Sequence, residues 1–374
     1  MEITYQLTKK QNFFRRNIDT FVKQKIGPRV AQIDREKDFP LQVIADLAGI
    51  RLLGLVVPRE EGGEAAGFLD LCLALEGIAK VCPTSALICA VQNLGARLIS
   101  SAGQPAQKDR YLSDLVTGRA IFGYALPDVM SLNLTEVSLS FSKQGSGFLL
   151  TGPEFCIVNG DAAHLICLFA KNDQLTNCLL VAKDRQGLEV TGLKGTAGAE
   201  ARGTCKAVLT ECLIPSDNLL GREGDGQQIL ADLICEASCL TAARSLGIAQ
   251  GALDYAIQYS KQREQFGRPI GKFQAIQIIL AGMEAKVEAI RHLVYKAASV
   301  LDEKSNERFR FSSIAKYFAS NTAREVTTDA VQVAGGYGYT KDYPLEKMMR
   351  NALLNQVLDG SNHAHQLAWE RSQA

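Results

Sequence analysis

The sequence has almost no net charge: forty-one lysines and arginines stand against forty aspartates and glutamates, a formal charge of +1. Such a balance supplies no long-range field to gather DNA, RNA or an anionic membrane, so any anion must be held by a local site. No apolar run reaches the roughly 18 to 20 residues that a bilayer span needs, and the opening MEITYQLTKKQNFFRRN has no apolar core like that of a signal peptide. The expectation is a cytoplasmic chain without membrane insertion and without a nucleic-acid partner. Metal ligands are also missing as a pattern. The four histidines are not spaced to complete a zinc site, and the ten cysteines, spread from Cys72 to Cys239, form no close C-x-x-C pair. They are expected as small buried apolar residues in a reducing compartment. Cys235 and Cys239 share a helix face in DLICEASCL, but no histidine or third thiol follows nearby, so no metal is assigned to them.

What is present is ample apolar content, 47% of 374 residues, enough for two or three domains or subdomains. Residues 1–119 repeat apolar positions at three and four, as in FFRRNIDTFVKQKIGPRVAQID and SALICAVQNLGARLISSAG, which predicts a helical domain. Residues 120–222 change to short runs bounded by turn residues. SLSFSKQGSGFLLTG alternates around a glycine-rich turn and predicts a hairpin, and five to seven such strands predict a small β-barrel or sandwich. From residue 223 to 374 long helical stretches return, joined by Gly- and Pro-bearing turns, and predict an antiparallel four-helix bundle. The fold class is therefore mostly α with a central β-domain.

One acid stands out in the last part. LNQVLDGSNHAHQ carries Asp359 as its single ionisable oxygen in an apolar or neutral run. Asp-Gly-Ser is also ordinary turn chemistry, since Asp and Ser bond their own backbone and Gly tolerates positive φ. The aromatic run GYGYTKDYP lies between bundle helices and is read as packing rather than as a nucleic-acid platform.

YSKQREQFGRPIGKFQAIQIILAGM and VQVAGGYGYTKDYPLEKMMRNA resemble the two C-terminal signatures of the acyl-CoA dehydrogenase family, and residues 8–63 resemble its opening helices. The likeness covers nearly the whole chain and is weakest in the β-domain. It implies FAD bound where subunits meet, an acyl-CoA or carrier-bound acyl thioester oxidised between C2 and C3, and an electron-transfer flavoprotein as acceptor. It also implies a homotetramer, or a mixed tetramer with a related subunit. A proton beside a thioester is far too weakly acidic for a free carboxylate, so such a site must polarise the carbonyl with fixed donors and exclude water around the base.

By resemblance, Asp359-Gly360-Ser361 stands where the family carries Glu-Gly-Thr or Glu-Gly-Ser, which makes Asp359 the expected base and Gly360 its neighbour at the substrate carbonyl. Asp is one methylene shorter than Glu, and a misplacement of about 1 Å can cost on the order of a hundredfold, so a different substrate shape is expected. Glu236, within a residue of the helix position from which some members take their base, is the second candidate. Arg263, Phe266, Gln274, Gln332, Gly335 and Gly336 match the adenylate-side FAD residues. The ring side departs from the family: LPDVMSLNL replaces Thr-Glu-Pro-Gly-x-Gly-Ser-Asp, and CIVNG replaces Trp-Ile-Thr-Asn-Gly. Tyr124, Leu126 and Val158 are left to meet the flavin through backbone and packing, with Ser361 and His363 as polar contacts and His365 as an ordinary helix residue. Asn133 and Ser238 stand at substrate positions, Ser238 where an Arg is common. Three readings follow: a specialised dehydrogenase, a half-active subunit supplying the adenylate side of a partner's site, or a scaffold without redox chemistry.

Overall fold

A computed structural model describes residues 7–36, 39–125, 131–192 and 204–371. The apolar spacing of the first part folds as six helices: α1 (Lys9–Phe21), α2 (Val30–Glu36), α3 (Leu41–Gly49), α4 (Phe68–Ala79), α5 (Pro83–Ala102) and α6 (Pro105–Val116). α1 starts on a capping box, in which Thr8 Oγ accepts from the Gln11 amide at 3.2 Å and the Gln11 side chain accepts from the Thr8 amide at 3.0 Å. α5 opens with Pro83 in its first turn and is buried along almost its whole length. α4 and α5, rich in apolar residues on more than one face, lie inside the molecule against the long helices that follow.

The middle of the chain is one eight-stranded sheet: β1 (Phe122–Ala125), β2 (Leu139–Gln144), β3 (Gly147–Val158), β4 (Leu165–Lys171), β5 (Thr176–Ala182), β6 (Leu188–Gly192), β7 (Thr204–Pro215) and β8 (Leu219–Leu220). The expected hairpin is β2–β3, closed across Gln144 and Gly147 with Gly145 at φ +59° in the turn. β1 and β2 each pair with both β3 and β4, so these four strands form a closed circuit of pairings. The sheet has more strands than the five to seven read from the sequence, because β8 is only two residues long and carries no alternation to read. The β-domain keeps its own apolar core, with Phe141 and Phe148 edge to face at 5.5 Å.

The third part holds α7 (Gly226–Gln262), the short hairpin β9 (Glu264–Gln265) and β10 (Arg268–Pro269), then α8 (Gln274–Asp302), α9 (Arg308–Ala334), α10 (Leu345–Leu354) and α11 (Asn362–Arg371). α7 packs on α8 and α9 and also on α4 and α5, so the first and third parts share one core. The segment between α10 and α11 lies against this core beside β1 and carries Asp359.

Candidate active site and cofactor cleft

After α10 the backbone turns through two consecutive left-handed residues, Asp359 at φ +59° and Gly360 at φ +99°. Asp reaches this region more readily than most side chains, and Gly does so freely. The turn places the Asp359 carboxyl inside the protein, with 4% of the residue exposed. Oδ1 accepts a hydrogen bond from the Tyr124 hydroxyl on β1, and Oδ2 accepts one from Thr241 Oγ on α7 at 2.6 Å. Burial, reinforced by the neighbouring Asp359 charge, pushes the Tyr124 phenol well above its ordinary range, so it remains a donor.

The main chain of the turn is gripped from α9. Lys316 Nζ donates to the Gly360 carbonyl, to the Gln356 carbonyl at 3.2 Å and to Asn362 Oδ1 at 3.0 Å, and Ser320 Oγ donates to the same Asn362 oxygen at 3.0 Å. Burial drives Lys316 down to about 7, against the pull of Asp359. Three acceptors around Nζ take all three hydrogens of the ammonium form. His365 completes the grip: Nε2 lies 3.0 Å from the Asp359 carbonyl and Nδ1 lies 3.1 Å from Ser313 Oγ. Burial lowers its pKa to about 3, so the ring is neutral, with the proton on Nε2 facing the carbonyl. His365 is thus a buried support of the turn rather than an ordinary helix residue, whereas His363 is exposed.

A second feature lies at the α7–α8 connection. A cleft of about 580 Å³ is lined by Arg263, Phe266, Phe273, Gly335, Gly336 and Tyr337 among others. The β9–β10 hairpin that forms one wall turns on Phe266 at φ +52° and Gly267 at φ +72°, the two-residue turn whose twist suits a hairpin. Phenylalanine seldom adopts this conformation, and here its ring is 93% exposed. Arg263 lies over the Tyr337 ring at 5.3 Å. Gly335 and Gly336 leave open space where a Cβ would stand, so a ligand can meet bare backbone there. Gln274 is the first residue of α8 and Gln332 lies near the end of α9, both exposed.

Comparison with known proteins then decides the family. Residues 8–119 match the model of the acyl-CoA dehydrogenase N-terminal domain, and residues 224–372 match that of the acyl-CoA dehydrogenase C-terminal domain. The chain belongs to the acyl-CoA dehydrogenase family. A short-chain-specific acyl-CoA dehydrogenase of Clostridium acetobutylicum is 32% identical over 97% of each chain. The cyclohex-1-ene-1-carbonyl-CoA dehydrogenase of Syntrophus aciditrophicus is 33% identical over 98% of this chain and 90% of its own. The structure of butyryl-CoA dehydrogenase from Megasphaera elsdenii superposes with a TM-score of 0.92 at 30% identity, over 99% of this chain and all of that one. As a member of this family the chain is an FAD-dependent oxidoreductase acting on CH–CH bonds.

The acyl-CoA dehydrogenase resemblance marked further residues, and the structure disposes of them unevenly. Val158 is buried at the end of β3, paired with Tyr124 across the sheet. Leu126 lies outside the described residues. Asn133 turns its side chain to its own loop, with Oδ1 accepting from the Thr135 amide at 3.2 Å and from the Thr135 hydroxyl at 3.1 Å. Ser361 Oγ accepts from the Ala364 amide at 3.2 Å and so caps the start of α11. Ser238 is buried on α7, its hydroxyl without a partner among the described residues. Glu236 lies 3.6 Å from Arg97, and burial pushes its carboxyl up to about 7 despite that arginine. Five positions before Thr241, it is turned about 140° around the helix from that residue and engages Arg97 rather than Asp359. Thr241, Arg244, Lys316 and His365 all converge on Asp359, and nothing in their local sequence marked them for it. Among the described residues no three His, Cys, Asp or Glu side chains gather as a metal site.

Proposed function

We propose that the chain oxidises an acyl thioester between C2 and C3, with Asp359 removing the C2 proton. The observation carrying this reading is the burial of that carboxylate where β1, α7 and the turn before α11 meet. Water is excluded there, and hydroxyl donors from two elements fix the position of the acid. The relatives named above are dehydrogenases of acyl-CoA esters, among them one for a cyclic acyl group. When bound, FAD supplies the acceptor for the hydride leaving C3. Each oxygen of Asp359 keeps a lone pair beyond its hydroxyl bond, so the carboxylate can accept a proton while it is held, and Lys316 and His365 keep its backbone still.

The cleft suits the adenylate half of FAD. Arg263 would pair with phosphate oxygens, and Gly335 and Gly336 would let backbone approach them. Gln274 and Gln332, exposed on the flanking helices, would add polar contacts. In the family this half serves a neighbouring subunit's flavin, so we take the working form to be an oligomer, with an electron-transfer flavoprotein as acceptor and the cytoplasm as its place.

One observation favours a second reading. Both oxygens of Asp359 are occupied by protein hydroxyls, as in an acid that has become structural, while the cleft residues are intact. The chain would then supply the adenylate side to a catalytic relative in a mixed tetramer. The test is to purify the chain alone, measure flavin per subunit, and follow bleaching by a panel of acyl-CoA esters with and without Asp359→Ala. Bleaching by the lone protein that disappears in the variant supports the first reading. Flavin and bleaching that arise only with a related subunit support the second, and bleaching untouched by the substitution moves the base elsewhere, with Glu236 next in line.

A further inference from the structure

Arg244 lies one helical turn beyond Thr241 on α7, and only 1% of it is exposed. Its Nε and both terminal nitrogens lack a hydrogen-bond partner among the described residues. A buried guanidinium with idle donors is costly unless an opposite charge compensates it. The titratable groups that act on Arg244 are Asp359 from the turn before α11 and Tyr124 from β1, while Lys316 from α9 and His365 from α11 act on Asp359 and its turn. Asp359 is the anion of that set. Glu236 is two turns back on α7, engaged with Arg97. Lys316 and His365 sit behind the turn, where they bond its carbonyls. Burial lowers Arg244 to about 10, which leaves it a cation throughout the neutral range.

We infer that Arg244 is a positioning residue for the proton-accepting acid: it balances Asp359 through space and draws the carboxylate into the Tyr124–Thr241 clamp. This rests on the reading of Asp359 as the base. The charge balance itself does not, and can be measured apart from turnover. The arrangement also suits the shorter acid. A side chain one methylene shorter than Glu reaches less far, and a cation one turn from Thr241 on α7 draws it toward that helix.

The experiment uses the full-length flavin-loaded protein and three substitutions, Arg244→Met, Arg244→Lys and Asp359→Asn, with the Met and Asn changes also combined. For Arg244→Met the acid limb of acyl-CoA-driven flavin bleaching is expected to move up by about one pH unit or more. KM is expected to change by less than about threefold, as for a residue that acts on the acid rather than on the substrate, and Arg244→Lys should restore the limb. In thermal unfolding, the loss caused by Arg244→Met should shrink by at least about half when Asp359 is already Asn, because neighbours that balance each other are not additive. An unmoved acid limb together with additive losses would overturn the inference. If Asp359→Asn still bleaches while the losses are non-additive, the charge pair stands and the base assignment falls. If Asp359→Asn is inert while the losses add, the base stands and the pair falls. Should Arg244→Met fail to fold, Arg244→Gln takes its place in the same cycle.

Discussion

The phenol of Tyr124 on β1 donates to Oδ1 of Asp359, tying the first strand of the β-domain to a turn 235 residues later. Replacing Tyr124 by Phe keeps the ring and removes the donor, leaving one carboxylate oxygen unsatisfied in a buried place. The expected loss is about 1–3 kcal/mol, seen as a lower urea midpoint with an unchanged slope. An unchanged midpoint would mean that Oδ1 finds another donor.

Arg263 tests the cleft. Arg263→Ala removes a charge-assisted contact worth about 1.5–3 kcal/mol, so FAD affinity should fall roughly ten- to hundredfold, while the far-ultraviolet spectrum stays the same. Equilibrium dialysis against free FAD measures it. Retained affinity would place the phosphates away from this cleft.

Lys316 gives a pH signature. Its ordinary pKa is 10.5 and burial holds it at about 7 in the fold, so between those values the unfolded chain binds more protons than the folded one. Stability from this group therefore rises as pH climbs from about 7 to 10.5, with the penalty present in full below 7. Lys316→Met should flatten the change of melting temperature with pH across that window relative to the natural chain. A slope left intact would show that the three acceptors around Nζ outweigh burial and keep the amine near its ordinary value.

Gly360→Ala should destabilise the protein by about 1–3 kcal/mol, because a non-glycine residue in this strained backbone carries that cost. The residue sits at φ +99°, and its new Cβ would collide with the Leu134 side chain. The affected segment is the one that presents Asp359, so the bleaching rate should fall together with the melting temperature. A neutral result would show that the turn can re-form with another backbone shape.

The helical and β-rich parts were legible because periodicity is imposed by burial: α5 is largely apolar and lies inside, and β2–β3 alternates around its glycine turn. The cleft was legible through short strings whose residues meet in space, Arg263 and Phe266 from one connection and Gly335 and Gly336 from another. The support of Asp359 was not. Arg244 in TAARSLGIAQ and Lys316 in SIAKYFASN are single cations among uncharged residues, a pattern that also describes a solvent-facing helix position. Only the packing of α7 and α9 against β1 and the final turn brings them inside. His363 and His365 show the same limit. Two residues apart on a helix means opposite faces, and spacing alone does not say which face turns inward.

Phe266 holds an apolar ring in water on a backbone shape that suits it poorly. An isolated chain retains such a residue at a loss that only a covering surface can recover, whether a nucleotide, another subunit or both. Cofactor retention should therefore be a collective property: on serial dilution the yellow colour should fade more steeply than simple one-to-one dissociation allows, and Phe266→Ser should remove that steepness while leaving the monomer at least as stable.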